Sequence, residues 1–237
     1  MIELKNLIVL GQGAPNQLND GRYARCVCGY SKEYGYVRIY PIPQQLLRLW
    51  DIFDIVVEKN PQDHRKNSLK VKNSKKDWKI LNKWIKVKGF FRAEDRYDLI
   101  KSLATDNLGN LIKSRESFGI IKPRIKRFDL EQQREKTEAQ TTLLDLDFHI
   151  IDQKDYKYKP YVSYECEPEC DCKNKTHKQQ IVEWGCYEWM RKNPSNEVKC
   201  FDNLRLTDND YDKFFLVGNL FRHPKTYVIV NIFRFKK

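Results

Sequence analysis

Three of the seven cysteines and one of the four histidines fall between residues 166 and 177, in Cys166-Glu-Pro-Glu-Cys170-Asp-Cys172-Lys-Asn-Lys-Thr-His177. A metal ion bound by such side chains takes its ligands from convergent directions, so the chain must turn back on itself within a dozen residues. Cys166, Cys170, Cys172 and His177 could fill a tetrahedral zinc site from this one loop. A site closed by four protein ligands leaves no position for water and is structural. The spacing is not the paired C-x2-C of common zinc modules. An iron–sulfur cluster is the alternative cofactor, completed by Cys186 or Cys200. A set of reduced thiols in an acidic loop is the plain alternative to any metal. Thr176 reads as the cap of a helix near 179–192, which puts His177 on its first turn. Cys186 would then lie roughly 13 Å further along the axis, and would reach the ion only if the chain folds back.

The second constraint is charge. Net charge is +12, and residues 59–88 hold eleven Lys and Arg against Asp63 and Asp77, a local balance of +9. A polyanion is the usual partner of such a balance, so DNA or RNA is the expected one. Lys70, Lys72, Lys75, Lys76, Lys79 and Lys83 are the candidate phosphate contacts, with Arg124, Lys126 and Arg127 as a second strip. Ser74 could cap a helix bearing Trp78, Leu81 and Ile85 on its apolar face. Trp78 and Trp84 read as core residues, with stacking on an unpaired base as the alternative.

The hydropathy pattern contains no apolar run of about 18 residues, which excludes a membrane-spanning helix. Glu3 and Lys5 interrupt the apolar start, which reads as a first strand and not a secretory signal. A cytoplasmic protein is expected. Seven cysteines in an odd, clustered set point there to metal or thiol chemistry and away from a disulfide framework.

Strands are expected at 2–10, at 22–29 and 35–40 as a hairpin, and at 51–58, 118–128, 143–151 and 157–164. A closing hairpin is expected at 214–217 and 226–235. Helices are expected near 43–50, 94–105 and 179–192, with a turn at 106–110. The fold class is therefore α+β: a mixed or barrel-like sheet with peripheral helices and a small Cys/His knuckle at about 164–200. The whole chain reads as one domain, 1–237, with a possible internal boundary near 129–142. Cys26 and Cys28 form a C-x-C on a strand, which is more often buried structure than metal ligation.

Catalytic patterns are thin. The H-x-E and P-C-x-x-C pair of zinc deaminases is missing. Asp145, Asp147 and His149 alternate on one expected strand face and could hold magnesium for phosphodiester cleavage, though the polar outer face of a half-buried strand gives the same pattern; Asp63 and Arg65 are the alternative set for such an enzyme. A metal-dependent enzyme acting on nucleic acid is thus the alternative to a binding protein. A protein-interaction module of a larger complex is the third reading.

Several blocks carry a resemblance: Cys26-Val-Cys-Gly-Tyr-Ser, Val37-Arg-Ile-Tyr-Pro-Ile-Pro43, Trp50-Asp-Ile-Phe-Asp-Ile-Val-Val-Glu-Lys and Asp63-His-Arg-Lys-Asn-Ser68. Further along are Ser117-Phe-Gly-Ile-Ile-Lys-Pro123, the Cys/His knuckle with Gln180-Ile-Val-Glu-Trp184, and Phe215-Leu-Val-Gly-Asn219 with His223-Pro224. Together they resemble an uncharacterised prokaryotic protein family with a Cys/Cys/His knuckle and no established activity. In that family an acid-Trp-acid triplet follows the knuckle; here Gly185 stands at the second acid position. The resemblance implies an arrangement and no reaction.

Overall fold

The computed structural model describes residues 1–18, 21–43, 46–72, 81, 83–104, 107–133 and 156–237. The first part is a closed barrel. Strand β5 (Asp51–Lys59) shows how sequence builds it. Asp51, Phe53, Ile55 and Val57 are buried and their neighbours are half-buried, the period-two pattern of a strand with one face inward. Strand β1 (Ile2–Gln12) pairs with β5, but its register shifts between Leu4 and Leu7. Asn6 sits there at φ 53, a left-handed conformation that Asn tolerates. The bulge moves inward-facing positions from Leu4 to Leu7 and Val9.

Strands β3 (Tyr23–Ser31) and β4 (Gly35–Pro43) form the expected hairpin; β2 (Asn16–Gln17) is a short ribbon beside β3. Strand β6 (Ser68–Val71) joins β4 in parallel and β5 antiparallel. The order β1-β3-β4-β6-β5 therefore closes back onto β1. With its parallel β4–β6 pair, this is the connectivity of the five-stranded Greek-key barrel called the OB-fold. Strand β7 (Ile85–Phe90) continues the wall along β5 where β6 stops. The interior is filled by Leu7, Val9, Val27, Ile39, Ile42, Phe53, Ile55, Val57 and Leu81.

Two expectations fail in this part. Ile85 belongs to a strand and not to the last turn of a helix, because β5 offers it an unpaired edge. Residues 46–50 turn instead of forming a helix: buried Leu47 plugs the barrel end, and its carbonyl accepts from Gln12 Nε2 at 2.8 Å and Arg25 Nη2 at 2.6 Å.

Helix α1 (Arg96–Leu103) follows as expected, and the segment read as a turn at 106–110 opens a further helix, α2 (Leu108–Ser114). Asn107 caps α2 by accepting from the Asn110 N–H at 3.0 Å. The second sheet is antiparallel, in the order β10-β9-β8-β11-β12, from β8 (Phe118–Gln132), β9 (Tyr158–Glu167), β10 (Thr176–Gln180), β11 (Tyr211–Asn219) and β12 (Tyr227–Lys236). A single bridge from Ile181 to Ile229 brings its two edges together, so this sheet is barrel-like as well. The chain is α+β, as its pattern implied.

Strand β11 explains the layering. Its run Phe214-Phe-Leu-Val is buried on both faces, as a strand between two layers must be. Phe214 and Leu216 pack toward the barrel with Leu10 and Cys28. Phe215 and Val217 face the opposite core, with Tyr164, Cys166, Tyr187 and Met190. The two sheets approach so closely that a Cβ on Gly11 would lie 2.4 Å from Leu216 Cδ2. Helices α3 (Trp184–Lys192) and α4 (Cys200–Asn203) cover the outer core. No described helix is long and apolar enough to cross a membrane.

Candidate metal centre and basic surfaces

The Cys/His cluster sits on the β9–β10 hairpin. Along β9, Val162, Tyr164 and Cys166 are buried in alternation and share the core face. Across the ladder His177 stands opposite Tyr164, so it shares that face too, with ring centroids 5.7 Å apart. The connection 168–175 folds back and carries Cys170 inward. Cys166 Sγ, Cys170 Sγ and a His177 ring nitrogen consequently lie within 4.8 Å of one another. Cys170 Sγ is 3.1 Å from His177 Nε2. Cys172 borders this triangle by a contact between its thiol and that of Cys170.

His177 is thus on a strand, and α3 begins only at Trp184. The expected helical turn at Thr176 is replaced because pairing with β9 buries Gln179, whose Oε1 accepts from the Tyr164 hydroxyl at 2.7 Å. The strand serves the site better than the helix would, since it aims the imidazole at the two thiols.

Cys166, Cys170 and His177 lie close enough together to bind one metal ion; a tetrahedral zinc would draw the 3.1 Å Cys170–His177 pair slightly apart. Zn–S bonds near 2.3 Å and Zn–N bonds near 2.0 Å imply ligand–ligand edges of roughly 3.5–3.8 Å. Helix α2 supports the cluster from outside. The Leu108 N–H donates to Cys166 Sγ, and Asn107 Nδ2 donates to the Glu169 carbonyl at 3.2 Å. Gly109 lets α2 approach: a Cβ there would stand 3.2 Å from Cys172 Sγ and 3.4 Å from Cys170 Cβ. Lys175 Nζ donates to the Cys170 carbonyl at 2.9 Å and holds the turn.

Burial pushes the Cys166 thiol up to about 12, helped by the neighbouring Cys170 and Cys172. Burial and the contact with Cys170 push Cys172 up to about 11. Burial lowers His177, which favours the neutral imidazole that a metal takes as ligand. Crowded thiols hold their protons; a divalent cation among them reverses that balance.

Cys186 does not join the triangle. It is buried on α3 against Cys200 of α4, and its thiol is pushed up first by the hydrogen bond with Cys200 and then by burial. Cys28 is buried in the packing between the barrel and the second sheet, while Cys26 accepts from Arg38 Nη1 at 3.3 Å. All seven cysteines are free thiols.

The cationic candidates divide. Lys75, Lys76 and Lys79, along with Trp78, Asp145, Asp147 and His149, lie outside the described residues. Lys83 is exposed. Lys70 pairs across the ladder with Glu58 at 3.1 Å. Lys72 Nζ lies 4.2 Å from the centroid of Trp84, which packs against the barrel core. Arg124 and Lys126 both face Glu165, at 3.5 and 3.0 Å, and Arg127 faces Asp129 at 2.8 Å. The second strip is therefore charge-paired, Arg124 and Lys126 across to β9 and Arg127 within β8.

Asp63 is engaged. Its oxygens accept from Arg65 Nε and Nη2 at 2.9 and 2.7 Å and from the Ser68 hydroxyl at 2.6 Å. Burial alone would raise its pKa; the bonds from Arg65 and Ser68 outweigh burial and bring it to about 2. That is a carboxylate built into a loop. The sequence reading missed α2 as a support of the cluster, and it missed Arg38. Neither carried a signal beyond a capping Asn and a charge inside an apolar strand.

No curated protein matches the chain. Residues 3–103, which take in most of the barrel and α1, match a family model described as "Domain of unknown function (DUF8758)", a family without an assigned activity, in line with the resemblance carried by the blocks at 26–31, 37–43, 50–59 and 63–68.

Proposed function

We propose that this is a zinc-containing nucleic-acid-binding protein of the cytoplasm. The observation that carries the reading is where the charge is mounted. Of the stretch 59–88, with its balance of +9, the described residues run from the end of β5 through the β5–β6 connection and β6 to β7. Lys59, Lys83 and Lys86 are exposed on it, as are Lys66 and Lys88, which pair with Glu116 and Asp54. Cations grouped on one part of a surface neutralise successive phosphates and release their counterions. Barrels of this connectivity commonly bind strands between such loops, a fold analogy that adds to the charge argument and does not replace it. Zinc suits a set of thiolates with one imidazole, and a closed site of Cys166, Cys170, Cys172 and His177 would brace the β9–β10 hairpin without taking part in chemistry. Seven free thiols suit a reducing compartment.

The test is binding of labelled single-stranded and duplex DNA and RNA across a salt series. Log affinity is expected to fall linearly with log salt. Charge reversal of Lys83 and Lys86 together should reduce the slope by about 2. A flat salt response would remove the proposal.

A further inference from the structure

A cleft of about 440 Å³ lies between the outer face of β3–β4 and the turn joining β11 to β12. Its floor is apolar, from Phe118, Val228 and Val230, and its rim carries Asn16, Asn60 and Gln62. Arg38 reaches into it from β4. This residue is 4% exposed, and no carboxylate among the described residues pairs with it. Its Nη2 donates to the Ser117 carbonyl at 2.8 Å and to the Asn219 carbonyl and Oδ1 at 3.3 and 3.1 Å. Its Nη1 donates to Cys26 Sγ, and the guanidinium lies 4.0 Å from the centroid of Phe118. Its Nε has no partner.

A buried cation held only by carbonyls, a thiol and a ring remains uncompensated. The other charges in the cleft do not compensate it. Asp63 is saturated by Arg65 and Ser68, and Arg65 donates to the Asn219 carbonyl at 2.8 Å. The net charge of the three is one positive, and it resides on Arg38. At the mouth stands Phe221, 54% exposed, with the Arg65 guanidinium 5.6 Å from its centroid. The cleft is thus lined both by an exposed aromatic ring, Phe221, and by the buried Arg38 guanidinium that no described carboxylate pairs with, a combination suited to a flat ring and an anion together.

We propose that this cleft binds one nucleotide unit, its phosphate on Arg38 and its base against Phe221. The proposal rests on the nucleic-acid reading above and names the unit recognised. The volume admits one nucleotide and excludes a duplex. Asn16, Asn60 and Gln62 border the cleft as polar neighbours for a base edge.

Calorimetric titrations with adenosine 5′-monophosphate, adenosine, and a short single strand with and without a 5′-phosphate test it. The monophosphate should bind at least tenfold more tightly than adenosine. Arg38→Met should abolish that preference, and Phe221→Ala should weaken the monophosphate several-fold. Phe221 is exposed, so its variant tests the cleft even if Arg38→Met fails to fold. Binding of the monophosphate alone assigns the site to free nucleotides. A gain from the strand's 5′-phosphate assigns it to chain ends, and strand binding that needs Arg38 without that gain assigns it to internal phosphates. All three support the cleft. Equal binding of adenosine and its monophosphate, or affinities unmoved by both variants, would overturn it. Strand binding that responds only to Lys83 and Lys86 would overturn the cleft and leave the nucleic-acid reading standing.

Discussion

Arg38 and Asn219 join the barrel to the second sheet across 181 positions of sequence: the guanidinium donates to both the carbonyl and the side-chain oxygen of Asn219, at 3.3 and 3.1 Å. Asn219 also donates from Nδ2 to the Pro224 carbonyl at 3.3 Å, so one amide ties a strand, a turn and a cation together. Asn219→Ala takes one acceptor from the buried Arg38 guanidinium. It should cost about 1–3 kcal/mol in urea unfolding at neutral pH. A change within a few tenths would show the contact to be incidental.

Asp63 gives a pH signature. Its native pKa, about 2, lies below its ordinary value of 3.8. The contribution is complete above the unfolded value and is lost as pH falls from about 4 toward 2. Asp63→Asn should therefore cost about 2 kcal/mol at pH 7, and the gap between variant and wild type should close through that acid window. Unfolding free energies of both proteins from pH 7 down to the lowest pH that retains fold would check it. A gap independent of pH would mean that shape and not charge matters at this position.

Cys186 and Cys200 form a pair apart from the Cys/His triangle. Cys186→Ala should retain the metal content of the wild type while losing about 1 kcal/mol of stability through its buried site. Cys166→Ser should lose the metal. Elemental analysis of the purified variants separates the two. Loss of metal from Cys186→Ala would make it a ligand after all.

Much of the architecture was legible where the pattern is local. The alternation in β5 and the two-sided apolar run of β11 are written in residue order, and so is the hairpin of β3 and β4. A barrel-like sheet was expected, but which strands close it was not legible, because the β1–β5 and β4–β6 pairings join residues far apart in sequence. Helix α2 escaped because a seven-residue element with an Asn cap and Gly109 has the composition of a turn; packing against the Cys loop sustains it. The Thr before His177 resembles a helix cap, yet the partner strand β9 decides the conformation of His177. The Cys166, Cys170 and His177 group, which could hold a metal ion, was legible because thiols and an imidazole crowded within twelve residues show in residue type alone. Arg38 was not, because its importance comes from what a distant turn places over it.

The hairpin as a metal grip is most directly tested by X-ray absorption at the zinc edge on freshly purified protein, with elemental analysis. One zinc per chain is predicted, with three sulfurs near 2.3 Å and one nitrogen near 2.0 Å. Cys170→Ser should reduce the sulfur count or empty the site. A protein without metal, or one whose scatterers are mainly oxygen, would contradict the account.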